Sequence, residues 1–209
     1  MIRINLIIED ILSEEVLRVI LEQSSQKFEV IGRFPDLGRR SSSSGFGYIK
    51  SRLKGFNNAA KGMPFLVLTD LDREECAPKL IREWLPFKPH PNLVFRVAKR
   101  EVESWVMADR NAFARFLGIP ISKIPLNIDD EVMDPKAFLV KMARKSRDRS
   151  IRNAIVPKHA AVKVGPDYNG KLISFVTDKW DLNRAVQHSD SLKRAANAIN
   201  NFHPILTEE

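Results

Sequence analysis

Apolar residues fall into short continuous runs in the first half of the chain and into helical stripes in the second. Ile2 to Ile8, interrupted most clearly by Asn5, predicts a buried first strand. Ser13 followed by Glu14 and Glu15 predicts a helix start, with Val16, Leu17, Ile20 and Leu21 as its buried stripe. Phe28 to Gly32 predicts a second strand. The third is carried by the stretch Met63–Asp72, MPFLVLTDLD, in which Phe65 to Leu68 reads as a strand buried on both faces. Leu93 to Ala98 is the fourth. Helical spacing fills the intervals over 48–61, 74–85 and 102–118, the last with a break near Asp109. Strand and helix therefore alternate, which predicts an α/β fold with a mainly parallel sheet flanked by helices.

From Ile119 onward no further strand is expected. Asp134-Pro135-Lys136 is a helix start, with an N-cap and proline at the first helical position. Leu172, Phe175, Val176 and Trp180 mark another helix. Leu192, Ala195, Ala196, Ile199 and Phe202 mark the last, capped by Ser189 or Ser191. The expected organisation is an α/β core over 1–120 and a helical, basic extension over 121–209 packed on it.

Composition narrows the classes. No run approaches the ~20 apolar residues of a membrane span, and the N-terminus reads as a strand rather than a signal peptide. The single cysteine, Cys76, excludes an intrachain disulfide framework and a multi-cysteine zinc site. The expectation is a cytoplasmic protein without a membrane partner.

Charge is segregated. The chain carries +8 overall, yet Lys141 to Lys163 alone carries +7 and Arg39 to Lys61 carries +6 with no acid. Such segregation points to a polyanion, of which nucleic acid is the commonest. The residues expected to contact it are Arg39, Arg40, Lys141, Arg144, Lys145, Arg147, Arg149 and Arg152.

Three strands end in acids: Glu9 after the first, Asp70 and Asp72 at the third, and Glu101 with Glu103 after the fourth. Parallel strands share a C-terminal edge, where open α/β sheets bind ligands. In extended backbone Asp70 and Asp72 would point to the same side. Clustered carboxylates suit a hard cation, Mg²⁺ or Mn²⁺, beside a phosphate track. Glu103 also shares a helix face with Lys99, which alternatively predicts a surface ion pair.

A first-strand glutamate, a later strand ending Asp-x-Asp and alternating βα order resemble the Toprim fold of topoisomerases, primases and overcoming-lysogenisation-type nucleases. More closely, FLVLTDLD, FRVAKREVESWVMAD, DPK and DYN…DSLKRA resemble a bacterial domain-of-unknown-function family of Toprim-like proteins. That family is related to the RloB-like group found near restriction and phage-defence genes. The resemblance implies Glu9 as the Toprim glutamate, a catalytic residue acting as metal ligand or general acid/base, and Asp70 and Asp72 as the catalytic metal pair. Glu103, Trp105 and Asp109 match the family's Glu-x-Trp…Ala-Asp segment, with Glu103 an auxiliary metal ligand. The sequence departs from the Toprim pattern in one place: Asp10-Ile11-Leu12 follows Glu9 where a glycine is usual. A metal-dependent nuclease acting on DNA or RNA, with a defence-system protein as a further partner, is the expected function. The alternatives are a non-catalytic nucleic-acid-binding or effector-partner module and a Mg²⁺-dependent hydrolase of small phosphates.

Overall fold

The computed structural model describes residues 1–35 and 46–205. Its elements run β1 (Ile2–Ile7), α1 (Ile11–Glu22), β2 (Phe28–Phe34), α2 (Phe46–Ala59), β3 (Phe65–Asp70), α3 (Ala77–Trp84), β4 (Leu93–Ala98) and α4 (Val102–Ala108). They continue as α5 (Arg110–Leu117), α6 (Ile128–Glu131), α7 (Pro135–Ala143), α8 (Arg149–Ile155), α9 (Tyr168–Lys179), α10 (Leu182–Ala185) and α11 (Asp190–Asn200). The α/β class with a parallel sheet, flanking helices and a helical C-terminal part is as expected. The chain groups into two compact units, 1–98 with 194–209, and 99–193. The expected division lay at residue 120; the observed one falls directly after β4 and within α11, so the end of the chain belongs with the sheet.

In the first unit all strand pairs are parallel, in the order β2-β1-β3-β4. Apolar residues alternate between the two faces of the central strands, so both faces demand cover. On one face Ile7, Val67 and Phe95 join Ile49 and Leu53 of α2 and Leu80 and Trp84 of α3 in one core cluster. On the other, Ile4, Leu66 and Val94 meet Leu21 of α1 with Ile199 and Phe202. Helices on opposite faces make the sheet doubly wound, and its switch point lies between β1 and β3. β2 extends to Phe34, beyond the expected Gly32, around an irregularity opposite Ile4 and Asn5. A Cβ at Gly32 would come within 2.4 Å of the Asn5 Oδ1, so a larger residue there would displace the Asn5 side chain.

α1 begins earlier than Ser13. Asp10 is its N-cap, its carboxylate accepting the Ser13 N–H at 2.8 Å, while Ser13 is buried inside the first turn. α3 begins later than expected, at Ala77, with proline in its first turn. Residues between β3 and α3 form a turn in which the Glu74 N–H reaches the Leu71 carbonyl at 3.0 Å.

The second unit is helical throughout. The break expected near Asp109 is real: α4 stops at Ala108 and Asp109 caps α5, which ends on Gly118 in left-handed conformation (φ 62°). Asp134 caps α7 with proline at its start, as the sequence dictates. Ser189 caps α11, its Oγ accepting the Leu192 N–H at 3.2 Å. Trp105 and Trp180 lie in the core; the Trp180 indole donates to the Trp105 carbonyl at 3.0 Å.

Candidate functional site

The site is built where β1 and β3 release the chain. Pairing of Ile7 with Val67 sets the two strand ends side by side. Glu9, two residues past β1, then turns its carboxylate onto the end of β3. Its Oε1 accepts the Asp70 N–H at 3.1 Å and a short hydrogen bond from the Thr69 hydroxyl. Thr69 is itself buried, so the carboxylate is drawn partly out of water. Burial raises the Glu9 pKa above its ordinary 4.5; the two hydrogen bonds pull it back, and the charges of Asp72 and Asp10 push it up again. Those last two effects place Glu9, Asp10 and Asp72 in one electrostatic neighbourhood at the carboxyl edge of the sheet.

Asp70 is the last residue of β3 and half-buried. Asp72 is exposed and takes a left-handed backbone with φ 48°. The strand ends at Asp70, so the strand alternation invoked for the two side chains does not extend to Asp72. Leu71 still donates its N–H to the Ala98 carbonyl at 2.9 Å, and the chain turns immediately after it. Among the described residues, no group of three or more His, Cys, Asp or Glu side chains is placed to hold a metal ion. What the edge supplies is Asp70 and Asp72, two residues apart, with the Glu9 carboxylate hydrogen-bonded to the Asp70 N–H. One or two carboxylates with water completing the shell is the donor chemistry that Mg²⁺ or Mn²⁺ takes.

Glu103 belongs to the second unit and is engaged there. It is 2% exposed; its Oε1 accepts from the Tyr168 hydroxyl at 3.0 Å and lies 3.4 Å from the Lys136 ammonium. The expected ion pair with Lys99 does not form, because Lys99 pairs with Asp130 instead. Glu101 accepts the backbone N–H of Lys136 at 2.8 Å, near the start of α7. Asp109 is wholly buried and takes a fork of hydrogen bonds from Arg184, the shortest 2.6 Å. Lys136, Tyr168 and Arg184 escaped the sequence reading because their partners are 33 to 75 residues away, beyond any local pattern.

Of the expected phosphate contacts, Arg39 and Arg40 lie outside the described residues. Lys141, Arg144, Lys145, Arg147 and Arg149 are all exposed on the second unit. Arg152 is half-buried and is used within the fold, donating to the Ser146 carbonyl. Among the described residues no helix is long and apolar enough to cross a membrane. Compared with known proteins, the chain matches no family model, no curated protein and no solved structure.

Proposed function

We propose that the chain is a Toprim-like, Mg²⁺- or Mn²⁺-dependent phosphodiesterase that cleaves nucleic acid, with a role in phage defence. The observation that carries this reading is the hydrogen bond from the Asp70 N–H to the Glu9 carboxylate. It brings the acids of β1 and β3 together at the topological switch point, where doubly wound sheets bind their ligands. Crowding acids at one edge is unfavourable in itself, as the upward push of Asp72 and Asp10 on Glu9 records, and a bound cation removes that cost.

Asp70 and Asp72 are the residues that would hold the ion. When bound, it would polarise a phosphodiester and make a coordinated water more acidic. Glu9 carries the proton transfer, held in position by the Thr69 hydroxyl and the Asp70 amide. The exposed cations on 141–149 attract the phosphate backbone. Glu103 has its own hydrogen-bonded partners inside the second unit, so the reading gives it a structural role rather than that of an auxiliary ligand.

The test is cleavage of labelled DNA and RNA by the full chain with Mn²⁺, Mg²⁺ or a chelator. Cleavage that needs the metal supports the reading. Metal-independent binding without product favours the non-catalytic module. Hydrolysis of small phosphate esters alone favours the small-phosphate enzyme.

A further inference from the structure

We infer that the outer face of α2, through Lys50, Arg52 and Lys54, is a phosphate-backbone binding surface for the nucleic acid that the carboxyl edge would cleave. The inference rests on the nucleic-acid reading above and names a contact surface on the same unit as the acids.

The helix has two faces of opposite chemistry. Ile49, Leu53 and Ala60 are buried in the core cluster, whereas Lys50, Ser51, Arg52, Lys54 and Gly55 are exposed. At about 100° per residue, Lys50 and Lys54 stand about 40° apart on one flank of the exposed face, with Arg52 on the other. Between the flanks lie Ser51 and Gly55, short enough to leave the cations standing proud of the helix. A Cβ built at Gly55 meets nothing within 4 Å, so this face is open.

These cations are not neutralised by carboxylates among the described residues. None of the three forms an ion pair with a described residue, and no Asp or Glu occurs between Leu37 and Thr69 to neutralise them. Lys50 and Lys54, four residues apart, are like charges at neighbouring positions, a repulsion that an anion relieves. Lys50 and Arg52 are also held in place rather than left to sweep through solvent. Lys50 Nζ lies 5.9 Å over the Trp84 ring and the Arg52 guanidinium 5.1 Å over Tyr48. Cations fixed in this way lose less freedom on meeting a phosphate.

Position favours the same partner. α2 ends at the amino edge of the sheet, where the Ala60 carbonyl accepts from the Asn92 side chain just before β4. Its 14 residues span about 21 Å, so its first turns stand at the opposite, carboxyl edge. The N-terminal end of α2 thus lies towards the edge that carries Glu9, Asp70 and Asp72, with Lys50 about one turn in from that end. A polyanion lying along α2 runs towards the acids.

The experiment compares wild type, Lys50→Gln/Arg52→Gln/Lys54→Gln and Asp70→Asn/Asp72→Asn for binding to a fluorescein-labelled mixed-sequence DNA duplex and to a single-stranded RNA. Each is titrated across salt concentrations without metal, and thermal unfolding of each variant checks its fold. Loss of three phosphate contacts is expected to weaken binding at least about tenfold and to reduce the slope of log K against log salt by about 3. Ser51→Glu, which alters only an exposed position, should weaken binding in the same direction. The Asp70/Asp72 variant, which removes two negative charges from the carboxyl edge, should bind more tightly than wild type in the absence of metal. If wild type binds and the α2 triple variant binds equally with an unchanged salt slope, this surface is wrong while the nucleic-acid reading stands. If wild type binds neither probe, both fall.

Discussion

The Asp70 N–H donates to the Glu9 carboxylate at 3.1 Å, fixing an acid from β1 on the last residue of β3. The bond costs one backbone donor at a strand end and holds a partly buried carboxylate among other acids. Its consequences can be measured.

Glu9 should make the protein less stable as pH rises. Its pKa is raised in the folded state, chiefly by burial, so the native protein holds this proton more tightly than the unfolded chain does. The stability it contributes is fully present below the ordinary carboxylate pKa and is lost as pH climbs through the raised value. Glu9→Gln keeps an oxygen for Thr69 and Asp70 but does not ionise. Urea unfolding from about pH 4 to about pH 7 should show wild type losing ground to Glu9→Gln with rising pH. A constant difference would contradict the burial.

Asp72 sits at φ 48°, a left-handed conformation that Asp tolerates better than most residues and Gly adopts freely. Asp72→Gly should therefore leave stability within about 0.5 kcal/mol of wild type, backbone relief offsetting chain entropy. Asp72→Val should cost about 1–2 kcal/mol. Both should lose metal-dependent cleavage, which separates the backbone role from the carboxylate's.

Asp109 is fully buried and Arg184 is 46% exposed. Removing the guanidinium by Arg184→Met leaves a carboxylate without its cation, although water reaches the vacated side. The cost should be about 2–3 kcal/mol in chemical denaturation, below the full value for a buried pair. Double replacement of both residues by apolar ones should recover part of it.

Glu103→Gln retains an acceptor for Tyr168 while giving up the charge beside Lys136. Stability should fall by about 1–3 kcal/mol, and the metal concentration giving half-maximal cleavage should not move. A shift in that concentration would return Glu103 to the ligand set.

How much of this was legible in the sequence follows from the range of each signal. β1, β3 and β4 are mostly apolar runs, which local composition reports directly. Asp134-Pro135 starts α7 through the same few residues that encode it. Ser13 offers itself in the sequence as the start of α1, yet Asp10, three residues earlier and with the same capping chemistry, holds that place. The left-handed backbone of Asp72, which ends the strand alternation from Asp70, is one angle that no pattern of residue types reveals. The setting of Glu103 depended on Tyr168, 65 residues later.

Mn²⁺-dependent cleavage of DNA or RNA by Asp70→Asn/Asp72→Asn, measured beside wild type at matched folding and binding, probes the central assignment most directly. The double variant should bind nucleic acid at least as tightly as wild type, unfold at the wild-type temperature and give no metal-dependent product. Full cleavage by this variant would contradict the assignment of the site.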